Sequence, residues 1–346
     1  MNKYKYVYLL TLLCLVIAAC NDEHNDEPPP PPAETFFWDA SHVTFAGLSG
    51  PVRKVVETTY SLMEGENGEE TVTFQMEFDA AGRLVYYNPN GMEPPTRDVW
   101  QTLAYYSYRY DEKGRMIEAT VTPLGGEPVV YDLKYGDHTT YVPLIFPLGP
   151  HDFFLVKGLE SITVADGSIS YEFDGTKAVY KKEGAWTGDV ITEYLYQENN
   201  PCPIQRIETT SRGSKVLSVR ITGYTYDPQG RLLAQDTKLV ENEVESERTI
   251  IRYADTQYLL PVSRKTDFGG SFLMDWLYTY DFENRLLRID YIENKGAADE
   301  VSAHEKYTYL STDGYGNWTD SRQEQSSLVN WDHADQLIGV RRTFSY

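Results

Sequence analysis

The chain has 346 residues and carries 52 aspartates and glutamates against 31 lysines and arginines, a net charge of −21. That balance argues against nucleic acid, whose phosphates need lysine and arginine to displace counterions, and against a basic patch holding anionic lipid. Aromatic residues make up 14% of the chain, mostly tyrosine, and the length suits one large all-β domain or two small ones.

At the N-terminus, Lys3 and Lys5 precede an apolar run from Val7 that closes on Ile17-Ala18-Ala19-Cys20. Leu9 to Ala19 is too short to span a bilayer permanently, so residues 1–19 are expected to be a cleaved signal peptide. Cysteine directly after the cut points to a bacterial lipoprotein, with a diacylglycerol on the Cys20 thiol and an acyl chain on its amine. Several acyl chains hold a protein on a membrane far better than one, so the membrane is an expected partner through Cys20. Loss of the signal takes the charge to about −23. Residues 20–34 then read as a tether: the acidic run Asn21 to Glu27 stays solvated, and Pro28 to Pro32 favour extended polyproline II. An acidic cluster after a lipidated cysteine resembles the export signal of Bacteroidetes lipoproteins sent to the outer face of the outer membrane. The resemblance implies a lipid-anchored protein facing the cell exterior.

Residues 35–346 repeat one hairpin. Phe78-Asp79-Ala80-Ala81-Gly82-Arg83-Leu84 returns as Tyr110-Asp111-Glu112-Lys113-Gly114-Arg115-Met116. It returns again as Tyr226-Asp227-Pro228-Gln229-Gly230-Arg231-Leu232 and Tyr280-Asp281-Phe282-Glu283-Asn284-Arg285-Leu286. Aspartate at the first turn position and glycine three later specify a type I turn followed by a left-handed residue. Pro228 suits the second position, and Asn284 is the next best left-handed residue after glycine. The structural turn residues are therefore Asp79, Gly82, Asp111, Gly114, Asp227, Gly230, Asp281 and Asn284.

The flanks alternate as strands do: Phe74, Met76 and Phe78; Tyr106, Tyr108 and Tyr110; Trp276, Tyr278 and Tyr280. Degenerate copies begin at Val130, Ile169, Tyr194, Ile251, Tyr307 and Thr343. This spacing fits one hairpin per unit. No helix of any length is expected, beyond one turn over Asp332 to Ile338. Thr139 to Phe154, with Pro143, Pro147 and Pro150, reads as a long loop or a seam near 139–154. The fold expected is all-β: an antiparallel meander of hairpins, curled into an open barrel-like shape or wound as a short spiral. Charges on both strand faces argue against a barrel embedded in lipid.

The Tyr-x-Tyr-Asp-x-x-Gly-Arg-Leu pattern resembles the YD repeats of the RHS family. The layout with Leu48 to Val55 and Gly316-Asn317-Trp318-Thr319 is similar to Bacteroidetes surface lipoproteins of uncharacterised function. The units are too few for the shell that large RHS proteins build.

Chemistry is sparse. Cys14 leaves with the signal and Cys20 is acylated, so Cys202, between Pro201 and Pro203, has no disulfide partner. Neither His304-Glu305 nor the other histidines show metal spacing, no phosphate loop or serine elbow occurs, and Asp313 to Asn317 lacks calcium-loop spacing. No cofactor, metal or catalytic residue is assigned. The expectation is a non-catalytic cell-surface module binding a glycan or an envelope protein. The alternative is a polysaccharide hydrolase using two carboxylates.

Overall fold

The computed structural model describes residues 36–62, 70–89, 104–123, 126–146, 148, 153–165, 169–174, 177–182, 189–198, 200–241, 244–254, 256, 259–270, 273–294, 299–327 and 336–346. Cys20, the signal and the tether lie outside the described residues, as does most of the turn expected over Asp332 to Ile338. A 3₁₀ turn (Phe37–Asp39) and a helical turn α1 (His42–Phe45) precede the sheet. The strands follow as β1 (Lys54–Ser61), β2 (Thr71–Phe78), β3 (Leu84–Asn88), β4 (Ala104–Tyr110), β5 (Met116–Pro123) and β6 (Val129–Tyr135). Next come β7 (Tyr141–Pro143), β8 (Leu155–Lys157), β9 (Leu159–Val164), β10 (Ile169–Phe173), β11 (Lys177–Lys182) and β12 (Asp189–Tyr196). The second half holds β13 (Pro203–Arg212), β14 (Lys215–Tyr226), β15 (Leu232–Glu241), β16 (Val244–Tyr253) and β17 (Pro261–Asp267). It ends with β18 (Leu273–Tyr280), β19 (Leu286–Asn294), β20 (Asp299–Thr312), β21 (Trp318–Ser327) and β22 (Gln336–Ser345).

Apart from β7 and β8, which pair with each other, each strand pairs antiparallel with its sequence neighbour in one 20-stranded sheet. β1 bonds to β2 on one side and to β22 on the other, from Lys54 opposite Ser345 to Ser61 opposite Ile338. The sheet is a closed up-and-down barrel. This corrects the open barrel or spiral, and with it the resemblance to the YD repeats of the RHS family. The hairpins bond side by side into one ring because β22 supplies the partner that β1 would otherwise lack, and closure removes both edges. The sheet also runs unbroken past 139–154, since β6 pairs directly with β9.

Alternation along each strand separates two faces. One carries Val55, Met76, Leu84, Tyr108, Leu133 and Ile162, all buried. The opposite face carries ion pairs between neighbouring strands: Lys54 with Glu77 at 2.9 Å, Arg109 with Glu118 at 3.3 Å, Arg248 with Asp236 at 2.7 Å and Lys265 with Asp275 at 3.5 Å. A lipid-facing wall needs an apolar band about 25 Å tall. On this outer face the charged pairs alternate with exposed apolar side chains such as Val130 and Leu277.

Because strands alternate in direction, the turns after β2, β4, β14, β18 and β20 all fall at one end of the ring. The insertion between β6 and β9 and the segment entering β1 belong to that same end, and there they form a plug. The Phe37 N–H donates to the Gln229 carbonyl at 3.0 Å and the Val43 N–H to the Gly82 carbonyl at 3.2 Å. Ser49 and Asn317 exchange two bonds, at 2.7 and 2.9 Å. Trp38 stacks on Phe45 with ring centres 5.7 Å apart, and Phe153 stacks on Tyr224 at 4.9 Å. Ser41 caps α1, accepting from the Thr44 N–H at 3.3 Å.

Candidate ligand cavity

The turn residues share one geometry. At the first, Asp79 Oδ1 accepts from the N–H groups of Ala81 and Arg83 at 2.8 and 3.0 Å, while Oδ2 takes Arg83 Nε at 2.7 Å. Partial burial works against the Asp79 charge, yet the bonds from Arg83 and Ala81 outweigh it and hold the carboxyl below its ordinary value. Asp111, Asp227 and Asp281 bond Arg115, Arg231 and Arg285 in the same way. The left-handed positions are Gly82, Gly114 and Gly230 at φ +74°, +82° and +80°, and Asn284 at +62°. Registers place Phe78 opposite Leu84, Tyr110 opposite Met116, Tyr226 opposite Leu232 and Tyr280 opposite Leu286.

The tyrosines and arginines of these turns also reach sideways. Arg83 lies 4.8 Å over the ring of Tyr110, Arg115 lies 5.2 Å over Tyr135, and Arg285 lies 5.0 Å over Tyr309. The Tyr110 hydroxyl donates to the Leu84 carbonyl at 2.7 Å, and Tyr309 donates to Leu286 at 2.9 Å. A tyrosine therefore closes each of these hairpins onto the one before it. The turn residues do structural work around the rim.

A turn that the sequence reading missed joins them. Asp313 accepts from the Tyr315 and Asn317 N–H groups at 2.8 and 3.0 Å, with Gly316 at φ +88°. The missing arginine hid it, although Asp-x-x-Gly is legible there. Asn317 replaces the arginine and pins the plug through Ser49.

Between the plug and the inner wall of β15–β22 lies a cavity of about 860 Å³. Phe45, Leu48 and Phe153 bound it on the plug side, and Tyr253, Tyr278, Tyr280, Tyr309 and Trp318 line the wall. Alternation puts these rings inside: Tyr278 stands opposite Ile289 and two residues from Tyr280 on one strand. The Tyr280 hydroxyl is anchored on the Pro261 carbonyl at 2.8 Å. Burial pushes Tyr309 up to about 12 and raises Tyr280 as well, so both remain neutral hydrogen-bonding groups at physiological pH.

The cationic side chains of the lining are Arg264, Arg285 and Arg342, and its single carboxylate is Glu283. Arg285 holds Asp281 and Glu283, each at 2.7 Å. Arg342 lies 3.9 Å over Trp318 and pairs with Glu57 at 3.0 Å; burial lowers its pKa, with Glu57 opposing the shift. Farther along the inner face, Glu305 accepts from Tyr291 and Tyr307 at 2.6 Å each and from Gln323 at 3.0 Å. No group of histidine, cysteine and acidic side chains among the described residues is arranged to hold a metal ion. The Cys202 thiol is buried and pushed up to about 12 by that burial. Smaller cavities of about 480 and 580 Å³ lie where the plug meets the turns of β2–β3 and β4–β5.

No family model and no curated protein matches this chain. Among solved structures it is similar to a porin-like protein from Bacteroides uniformis, at 11% identity and a TM-score of 0.36, over 86% of this chain and 98% of that one. A porin-like protein from Bacteroides vulgatus matches at 14% identity and a TM-score of 0.32, over 85% and 98% of the two chains. A third match, TcdB2-TccC3-TEV, shows 11% identity and a TM-score of 0.22 over 78% of this chain and 16% of that one. The YD-repeat expectation is corrected by the closed ring itself, in which β22 pairs with β1.

Proposed function

We propose that this protein is a non-catalytic envelope lipoprotein of the outer membrane. In this reading it is held by lipid on Cys20, with its barrel outside the bilayer and facing the cell exterior. Its plugged barrel binds a glycan at the aromatic-walled cavity. The observation that carries this reading is the gathering of Tyr253, Tyr278, Tyr280, Tyr309 and Trp318 on one wall of a cavity of about 860 Å³. Ring faces match the apolar faces of sugars, and fixed polar groups beside them set orientation. The charged outer face favours lipid anchoring over insertion of the strands. The one carboxylate of the lining, Glu283, is engaged by Arg285, which favours binding over hydrolysis.

A glycan array probed with the purified protein, paired with a reducing-sugar release assay, tests the proposal. Binding that Tyr278→Ala weakens, with no sugar released, supports it. Turnover abolished by a single Asp or Glu substitution refutes it in favour of a hydrolase.

A further inference from the structure

We propose that the glycan is acidic, carrying a uronate carboxylate or a sulfate, and that Arg264 is the residue that receives the anion. The inference rests on the glycan reading and adds the charge of the ligand. Across a chain with 52 acidic and 31 basic residues, the cavity lining inverts the balance, with three guanidiniums facing one carboxylate. Two of those guanidiniums are committed, Arg285 to Asp281 and Glu283 and Arg342 to Glu57.

Arg264 is different. It stands opposite Trp276 in the ladder between β17 and β18, with its guanidinium 4.7 Å over the indole ring. No carboxylate among the described residues pairs with it, and its side chain is exposed. A guanidinium laid on an aromatic face spends that face on the ring and leaves its in-plane N–H fork free. That fork matches a carboxylate or sulfate in two-point geometry. Tyr278, two positions from Trp276 on the same strand, lines the cavity beside it. The nearby Glu305 does not compete for Arg264, since Tyr291, Tyr307 and Gln323 already bond both its oxygens. Lys265 and Asp275, the adjacent charged pair, sit on the outer face.

The test is titration of the purified full chain with hexagalacturonate, a chondroitin sulfate hexasaccharide and neutral cellohexaose, read by calorimetry and tryptophan fluorescence. At low salt at least one acidic ligand binds about tenfold tighter than the neutral one, as expected for a charge-assisted contact, and added salt narrows the gap. Arg264→Gln brings the ratio of acidic to neutral affinity close to one, whereas Arg264→Lys retains part of the preference; circular dichroism checks that both variants fold. Equal binding of acidic and neutral ligands, or a preference that survives Arg264→Gln, overturns the proposal and leaves the glycan reading standing. Failure of every glycan to bind removes that reading first, and this one with it.

Discussion

Gly230 sits where the rim of the barrel meets the plug, and replacing it with alanine separates two costs. Its φ of +80° is strained for any side chain with a Cβ, and an ideal Cβ there would lie 2.2 Å from Phe36 Cζ. The backbone strain costs about 1–2 kcal/mol, and displacing the Phe36 ring from a packed site adds about 1–3 kcal/mol. Gly213 is the internal control, because its φ is +59° and no atom lies within 4 Å of where a Cβ would stand. Gly213→Ala should therefore lose only the backbone part. Urea unfolding of both variants, followed by tryptophan fluorescence, gives the comparison directly. Adding Phe36→Ala to Gly230→Ala should recover about 1–3 kcal/mol of coupling in a double-mutant cycle. If the two alanine variants lose the same stability and the cycle shows no coupling, Phe36 does not press on the turn and the described plug is wrong.

Further outcomes follow from the same geometry. His42 accepts the Leu84 N–H at Nδ1 over 3.0 Å, and burial, the main cause, lowers its pKa to about 4, with Asp79 opposing and Arg83 adding to the shift. The unfolded chain takes up a proton near pH 6.5 that the native state refuses, so stability falls as pH drops from about 6.5 to about 4. Roughly 2 kcal/mol of this should go by pH 5, above the carboxylate range. Urea midpoints at pH 7 and 5 should differ in the parent and converge in His42→Asn; parallel losses in both would count against a buried neutral imidazole. Asp281→Ala should cost about 1–3 kcal/mol in urea unfolding, since it strips acceptors from two backbone N–H groups and from Arg285; an unchanged midpoint would deny the turn its role. Cys20→Ala should release the protein from membranes and abolish labelling by a fatty-acid analogue, and protease treatment of intact cells should digest the parent. A variant that still pellets with membranes would point to another anchor.

The rim was legible because its logic is local. Asp227, Pro228, Gly230 and Arg231 dictate their turn within five residues of chain, so neighbouring residue types suffice to reveal it. The plug was not legible for the opposite reason: Pro143, Pro147 and Pro150 speak for a loop, while the burial of Tyr141, Phe146 and Phe154 depends on strands distant in sequence. The aromatic density of that stretch was the available signal. Alternation of Trp276, Tyr278 and Tyr280 announced a strand but not which face would look inward, because a period of two reads the same either way. The cavity therefore stayed hidden until closure gave the sheet an inside. Closure itself pairs Lys54 with Ser345, and no local pattern encodes such a partnership.

That seam has a consequence for how the molecule is made. Every other strand of the ring meets a partner close behind it in the chain, so assembly can proceed hairpin by hairpin, but β1 waits for β22. The entropy of bringing such distant segments together grows only slowly with separation, by about 0.6 kcal/mol per doubling. The delay is therefore chiefly kinetic: until β22 emerges, two bare strand edges face outward and invite pairing with another unfinished chain. Anything that shields Lys54–Ser61 until β22 arrives would guard the molecule at its most vulnerable stage. Loss of Gln336–Ser345 would make that transient hazard permanent.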